Sequence, residues 1–238
     1  MLERKEENEM RLFFTSDTWF YRENIIGIND RNYDNVDEMN DDLVEKWNTV
    51  VSEDDVVFIL GNYVYDPTKM EIVNSILRGT KVLLPTDFDK NAVMNNAEVV
   101  TLLLTNETSG FVGDGQNVEI PSQMGYDGYV KYKAYDSVGL STSDSYFEVL
   151  KTKIESGIHD FLVLHNNIVE LPDYGLVISH YPLLDWNGKG HGVMNFHGGR
   201  VPTAKNLKEE KRFNVSADLC GMTPVSYNNI VKIISKSK

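Results

Sequence analysis

Cysteine, long apolar runs and a signal-peptide core are scarce or absent in this chain of 238 residues. Cys220 is the only cysteine, which excludes an internal disulfide and is typical of proteins in a reducing cytoplasm. No continuous apolar run approaches the roughly 20 residues that a membrane-spanning helix needs. Residues 1–9 are mostly charged and lack the apolar core of a signal peptide. We therefore expect a cytoplasmic protein without a membrane partner.

Positive charge is also in short supply. The chain has 23 Lys and Arg against 36 Asp and Glu, which gives a formal net charge of -13. Such a surface repels nucleic-acid phosphates and anionic membranes, so a nucleic-acid partner is disfavoured. Much of the acid lies in residues 1–9 and 30–55, whereas the last third of the chain is richer in lysine. A patch that steers a basic protein partner is one interpretation, and a solvated face is the other.

Regular structure is predicted from the spacing of apolar residues. With 41% hydrophobic and 25% charged residues, the chain has the composition of a soluble globular domain. Residues 34–51 place apolar side chains three and four positions apart, which predicts an amphipathic helix, and Asn35 with Glu38 predicts its capping box. A second helix is predicted over residues 68–77, ending near Gly79. Alternation of these helices with apolar strands predicts a layered α/β fold.

Polar residues follow several of the predicted strands. Asp17 follows an apolar strand, Asn62 follows a second, and Asp87 and Asp89 follow a third. His180 stands at the end of a fourth strand, and the segment Met194 to Val201 follows it. Ligand sites in α/β proteins lie outside the carboxyl ends of strands. The sequence therefore predicts that these residues form one site.

The order of these motifs resembles the calcineurin-like metallophosphoesterase superfamily, in particular its small bacterial and phage members, whose strands end in D-x-H, G-D, G-N-H-D, H and G-H-x-H. Residues 31–48 also look like a helix of that family, and residues 212–226 look like its closing R-Y-N-V-G-V-D and T-P-V-S segments. The resemblance implies a layered β-sandwich flanked by helices, the four-layer fold of the family. It implies one domain at residues 11–238, after a tail at 1–10 and with an insertion at about 105–146.

The two-metal site that the resemblance implies is incomplete in this sequence. Asp17 matches the first aspartate, but the adjacent histidine is Trp19, whose indole is only a hydrogen-bond donor. Asn62 replaces the bridging aspartate, Asp87 replaces an asparagine ligand, and His180 matches a retained histidine. Two-metal hydrolysis needs a bridged pair of cations. We expect no cofactor, or at most one weakly bound divalent metal held by these four polar residues.

The remaining family positions hold side chains that neither ligate a metal nor transfer a proton. They are Trp19, Phe88, Gly199 and Val201. Because aromatic side chains occupy a large apolar volume, we predict that these replacements plug the former active site and leave it dry. Structural roles remain open for the retained residues, with Asp17, Asp87 and Asp89 as turn residues and His180 as a hydrogen-bonded core histidine.

Two further segments are candidates for binding. Residues 105–146 predict a loop with a short β-hairpin, in which a regular series of tyrosines offers an interface: Tyr126, Tyr129, Tyr132 and Tyr135. A helix is predicted over residues 146–155. The glycine-rich loop at residues 185–193 resembles the family's D-W-N-G segment. Its neighbourhood supplies the candidate anion-binding residues Lys189, His191 and Arg200.

Two functions follow from different classes. The first is a pseudoenzyme, a phosphoesterase fold of bacterial or phage origin that binds a protein partner or joins an assembly in the bacterial cytoplasm. The second is a weak phosphodiesterase or phosphatase with one metal at Asn62, Asp87 and His180. A third hypothesis, intermediate between these two, is a sensor that binds a nucleotide in the pocket without turnover. The replaced histidines favour the pseudoenzyme.

Overall fold

The computed structural model describes residues 10–89, 100–102, 118–120, 130–132, 161–164, 168–199 and 211–236. Its strands are β1 (Leu12–Thr15), β2 (Val56–Ile59), β3 (Thr80–Leu83), β4 (Val100–Leu102), β5 (Val118–Ile120), β6 (Val130–Tyr132), β7 (Phe161–Leu164), β8 (Ile168–Leu171), β9 (Leu176–Ser179), β10 (Met194–His197), β11 (Arg212–Asn214) and β12 (Val225–Ser226). Its helices with both ends described are α1 (Ile25–Asn29), α2 (Val36–Val50), α3 (Met70–Ile76) and α4 (Tyr227–Ser235).

The described strands form two main sheets. The larger sheet has the order β12-β1-β2-β3-β7-β4, and all of its pairs are parallel except that of β1 with β12. The smaller sheet has the order β11-β10-β9-β8, in which only β8 runs antiparallel to its neighbour. Parallel neighbours bring the carboxyl ends of β1, β2 and β3 to one edge, and those of β9 and β10 to one edge of the second sheet.

Two apolar clusters lie on opposite faces of the larger sheet. Successive side chains of a strand point to opposite faces, so Phe14 and Phe58 pack towards the smaller sheet, where they meet Ile178 and Phe196. Phe13 lies on the other face with the residues of α2 and α3. In the described part of the protein, a layer of helices, the larger mixed sheet and the smaller mixed sheet are therefore stacked in that order.

Helix α2 follows its sequence pattern closely. Met39, Leu43 and Trp47 are buried at four-residue spacing and pack on the larger sheet. The Asn35 side chain accepts a hydrogen bond from the Glu38 backbone N–H at 2.9 Å, which caps the helix as predicted. The Glu38 carboxylate reaches back to the N–H of Asp34 rather than of Asn35, at 2.7 Å. The second hydrogen bond of the predicted capping box is therefore shifted by one residue, from the N–H of Asn35 to that of Asp34.

The predicted α/β class is confirmed, whereas the four-layer architecture stays a prediction. Strand β5 pairs with β6 in antiparallel fashion, as expected for a hairpin between residues 105 and 146. Tyr132 closes β6, while Tyr126, Tyr129 and Tyr135 lie outside the described residues, as do the helix predicted at 146–155 and nearly all of the tail at 1–10. Within the described ranges, no helix has the length and apolar character that crossing a bilayer requires.

Candidate functional site

The loops that follow β1 and β2 run side by side and bring Asp17 next to Asn62. The backbone N–H of Asp17 donates to the carbonyl oxygen of Gly61 at 3.0 Å, and that of Trp19 donates to Asn62 at 3.0 Å. A further bond joins Phe20 to Tyr63 at 2.9 Å. These bonds continue the parallel pairing beyond the strands, so the two polar side chains emerge from neighbouring backbones.

The backbone at this edge is tightly bent. Asp17, Trp19 and Asn62 adopt left-handed conformations with φ of 56°, 53° and 58°, a region that non-glycine residues enter at a cost. Gly61 has φ +85°, and a Cβ there would lie 2.4 Å from Cγ2 of Thr86 and 2.9 Å from Nδ1 of His180. Only glycine lets the three loops approach this closely.

A cleft of about 310 Å³ opens at this edge of the sheets. Its lining combines polar residues with an apolar wall: Asp17, Trp19, Arg22, Ile25, Ile28, Asn29, Asn62, His180, Tyr181 and Gly199. Three of the four predicted polar site residues therefore lie together. Asp87 does not line the cleft, because it lies exposed where a helical turn begins after β3.

The amide of Asn62 is the centre of the polar cluster. Its Nδ2 donates to Oδ1 of Asp17 at 2.7 Å and lies 3.4 Å from Nε2 of His180. The Asp17 carboxylate can only accept hydrogen bonds, so the amide nitrogen must face it. On the other side, Oδ1 of Asn62 lies 2.9 Å from the hydroxyl of Thr86. The amide orientation thus follows from its partners.

One tautomer of His180 suits these contacts. Nδ1 lies 2.5 Å from the carbonyl oxygen of Leu60, which can only accept, so Nδ1 carries the hydrogen. Nε2 then presents a lone pair to the amide of Asn62. His180 is 7% exposed, which agrees with the interpretation of a hydrogen-bonded buried histidine that lines the cleft.

Three donors bind the carboxylate of Asp17. Besides the bond from Asn62, its Oδ2 accepts from the Ser16 hydroxyl at 2.7 Å and from the backbone N–H of Gly199 at 2.8 Å. Gly199 therefore contributes its backbone to the site. Its position carries no side chain that could plug the cleft, and Val201 and Arg200 lie outside the described residues.

Asp89 ties the loop after β2 to the loop after β3. Its Oδ2 accepts from the backbone N–H groups of Asn62 at 2.7 Å and Thr86 at 2.8 Å, and lies 2.7 Å from the Thr86 hydroxyl. Its Oδ1 accepts from the N–H of Tyr63 at 2.8 Å. The side chain is 1% exposed, so the predicted turn residue is a buried support of the site.

Arg31 performs a similar role for the loop after β1. Its guanidinium pairs with the Asp218 carboxylate at 2.8 and 3.0 Å and donates to the carbonyl oxygens of Asp17 at 2.6 Å and Thr18 at 2.9 Å. Both charged residues belong to segments that carry the family resemblance, but the sequence offers no signal for their pairing. Arg31 therefore holds the backbone of Asp17 in place through its carbonyl oxygen.

The side chains predicted to plug the site lie in different environments. Trp19 is 6% exposed and forms one wall of the cleft, whereas Phe88 is 57% exposed and contacts Trp19 from outside at 5.2 Å between ring centroids. An open cleft lies beside them, and the filled, dry site stays a prediction. The family resemblance predicted Phe88 at the position of a catalytic histidine, but the turn that directs Asp89 inwards leaves the Phe88 ring exposed to solvent.

Lys189 and His191, the two predicted anion-binding residues that the structure describes, do not line the cleft. Lys189 donates to the carbonyl oxygen of Leu184 at 2.7 Å and lies over the Trp186 ring at 4.7 Å. His191 is exposed on the same loop. Among the described residues that line the cleft, Arg22 is the one with a basic side chain of Lys or Arg type, and the sequence carried no motif that would have identified it.

Two nearby titratable groups are held neutral by burial. Burial lowers the pKa of His197, and the positive charge of Arg212 lowers it further, against an opposing hydrogen bond to Gly198. Burial raises the pKa of the Cys220 thiol to about 12. Neither group is therefore charged near neutral pH, and the cysteine is a poor nucleophile.

The polar side chains of the cleft are not arranged to ligate a pair of bridged cations. Asn62 turns N–H donors towards Asp17 and His180, in the space that an ion between these two ligands would need. Both oxygens of Asp17 already accept hydrogen bonds. Across the parts of the chain that the structure describes, no group of three or more His, Cys, Asp or Glu side chains is arranged to hold a metal ion.

Comparison with known proteins gives information on the fold of this chain and none on its function. No family model matches the chain. The chain is 25% identical over 228 residues to the uncharacterized protein MJ1445 of Methanocaldococcus jannaschii, a match that covers 96% of this chain and 93% of that protein. It also resembles the crystal structure of AQ665, a protein of unknown function from Aquifex aeolicus, with a TM-score of 0.51, 17% identity and coverage of 94% and 99% of the two chains. The similarity to AQ665 shows a shared fold along most of the chain.

Proposed function

We propose that this protein is a non-hydrolytic protein of the calcineurin-like metallophosphoesterase type, with the four-layer fold of that family, that functions by binding a protein partner. One observation carries the proposal: the Asn62 amide donates to Asp17 at 2.7 Å and faces Nε2 of His180 at 3.4 Å, where a metalloenzyme needs a bridging carboxylate and a cation. An N–H donor repels a cation and satisfies both ligands without one.

Hydrolysis provides the first test. We expect purified protein to give no turnover of a chromogenic phosphodiester with excess manganese, nickel or zinc, because no bridged metal pair generates a hydroxide. The Asp17→Ala and His180→Ala variants serve as controls for contaminating activity. Metal-dependent turnover that disappears in both variants would contradict the proposal.

Replacing Asn62 with aspartate tests the role of the amide directly. A carboxylate at this position would face Asp17, since the native nitrogen lies 2.7 Å from the Asp17 oxygen. We expect the Asn62→Asp variant to lose about 2–3 kcal/mol of unfolding free energy in EDTA, from a lost buried hydrogen bond and added repulsion. Excess manganese should raise its melting temperature, because the cation binds only the folded carboxylate pair.

A matched control distinguishes metal binding from general destabilisation. Asn195 is fully buried and its amide donates to Val177 at 3.1 Å, so Asn195→Asp should also destabilise the protein. It should not respond to manganese, because it does not line the cleft. Equal responses of the two variants, or a manganese response of the unmodified protein, would count against the assigned role of Asn62.

A single-metal phosphoesterase is the second candidate, and one observation favours it. The tautomer of His180 presents the Nε2 lone pair to the cleft beside Asp17, which is the form that ligates metals. Asp87, the third predicted ligand, lies exposed outside the cleft. The hydrolysis assay distinguishes the two functions. A single-metal enzyme hydrolyses the phosphodiester and loses this activity in His180→Ala, whereas a non-hydrolytic protein shows no turnover in either form.

A further inference from the structure

Arg22 is surrounded by aromatic rings. Its guanidinium carbon lies 4.0 Å from the ring centroid of Trp19, 5.2 Å from that of Tyr65 and 5.7 Å from that of Phe88. All three distances fall within the roughly 6 Å over which a cation is attracted to an aromatic face. We name Trp19, Tyr65 and Phe88 the aromatic cage.

Among the described residues, Arg22 meets aromatic rings and no carboxylate. Arg11, Arg31 and Arg78 each pair with a carboxylate, whereas Arg22 forms no ion pair with a described residue. Its Nε donates only to the nearby amide oxygen of Asn24, at 3.1 Å. Arg22 also lies in a turn before α1, so its side chain can leave the cage without unfolding an element.

Two rings of the cage are accessible to a partner. Tyr65 is 49% exposed and Phe88 is 57% exposed, so both rings present aromatic surface to solvent. Trp19 is 6% exposed and forms the base of the cage beneath Arg22. A cation from another protein could thus reach all three rings once Arg22 has moved.

Charge around the cage favours a basic occupant. Glu23, Asp66 and Asp87 directly adjoin Arg22, Tyr65 and Phe88 in sequence, and Glu23 and Asp87 are exposed. The whole chain carries a formal net charge of -13. A basic protein is therefore attracted to this surface, whereas an acidic one is repelled.

We propose that the aromatic cage binds an arginine side chain of a basic protein partner and that Arg22 occupies the cage until the partner arrives. The proposal rests on the protein-binding function proposed above and names its surface and partner chemistry. Arginine fits better than lysine because its planar guanidinium stacks on aromatic faces, as Arg22 does on Trp19. Arg22 acts as an internal competitor that lowers the affinity for the partner.

Calorimetric titration with a tetra-arginine amide, in buffer with EDTA, tests this arrangement. Arg22→Ala should bind the peptide about 5- to 30-fold more tightly than the unmodified protein, because a competing cation–π contact of about 1–2 kcal/mol is lost. Lys232→Ala, which removes one exposed positive charge on α4, measures the effect of charge alone and should change the affinity by less than about twofold.

A second variant distinguishes aromatic from merely apolar contact. Phe88→Leu, introduced into Arg22→Ala, keeps apolar area at an exposed position and should remove much of the gained affinity. Equal affinities of Arg22→Ala and Lys232→Ala, or no effect of Phe88→Leu, would overturn the proposal. Binding of tetra-glutamate that is lost in Arg22→Ala would overturn it as well, since Arg22 would then anchor an anion. Metal-dependent hydrolysis would refute the non-hydrolytic function but leave these titrations interpretable.

Discussion

Replacing Arg31 with methionine is expected to lower the free energy of unfolding by about 3–5 kcal/mol, the cost of removing one partner from a buried ion pair. The Arg31 side chain is fully buried, and its partner Asp218 is 12% exposed. The substitution also leaves the carbonyl oxygens of Asp17 and Thr18 without their donor. Urea denaturation monitored by circular dichroism measures the change.

The geometry of the guanidinium, rather than its charge, should account for most of this loss. Arg31→Lys keeps the charge but cannot reach Asp218 and two carbonyl oxygens at once, so we expect it to recover less than half of the stability. Asp218→Asn should be non-additive with Arg31→Met, because both changes remove the same pair. Full recovery by lysine would contradict this account.

The consequence of Arg31 for the cleft goes beyond stability. Because the guanidinium holds the carbonyl oxygens of Asp17 and Thr18, its loss releases the bent loop that carries Asp17 and Trp19. Trp19 is the base of the aromatic cage. Arg31→Met should therefore also weaken tetra-arginine binding in an Arg22→Ala background, which links the buried ion pair to the exposed surface.

Much of the secondary structure could be predicted from local pattern. Helix α2 was predicted because its apolar spacing and the capping signal of Asn35 are both local, and the structure agrees within two residues at each end. The strands before Asp17, Asn62 and His180 were likewise visible as apolar runs. Strands β1 and β2 are parallel neighbours, so their carboxyl ends meet, whereas β9 brings His180 to the same cleft from the smaller sheet. Three of the four predicted polar residues line this cleft.

The contacts that depend on side-chain direction could not be predicted in the same way. Asp87 and Asp89 are equally good turn residues in sequence, yet only Asp89 faces inwards, where the N–H groups of Asn62 and Tyr63 need an acceptor. Phe88, between them, then faces outwards. Arg22 meets Phe88 only because two loops distant in sequence converge, which no local pattern indicates.

Replacing Asp89 with alanine is expected to cost about 3–5 kcal/mol of unfolding free energy, the second large effect. The change leaves the buried N–H groups of Asn62, Tyr63 and Thr86 without the carboxylate that accepts from them. Each unsatisfied buried donor costs about 1–3 kcal/mol, and partial relaxation or water entry reduces the sum. The midpoint of urea denaturation should fall accordingly, without a change in the spectrum of the folded state.

Asp87→Ala provides the matched control, since it removes a carboxylate of the same type two residues away. Asp87 is exposed, and surface substitutions typically change stability by less than about 1 kcal/mol. Similar losses in the two variants would mean that charge along this turn, rather than the inward hydrogen bonds of Asp89, supports the loops. The expected result is a large loss for Asp89→Ala and a small one for Asp87→Ala. If Asp89→Ala also weakens the manganese stabilisation when it is combined with Asn62→Asp, then Asp89 positions Asn62, because its carboxylate accepts from the Asn62 backbone N–H at 2.7 Å.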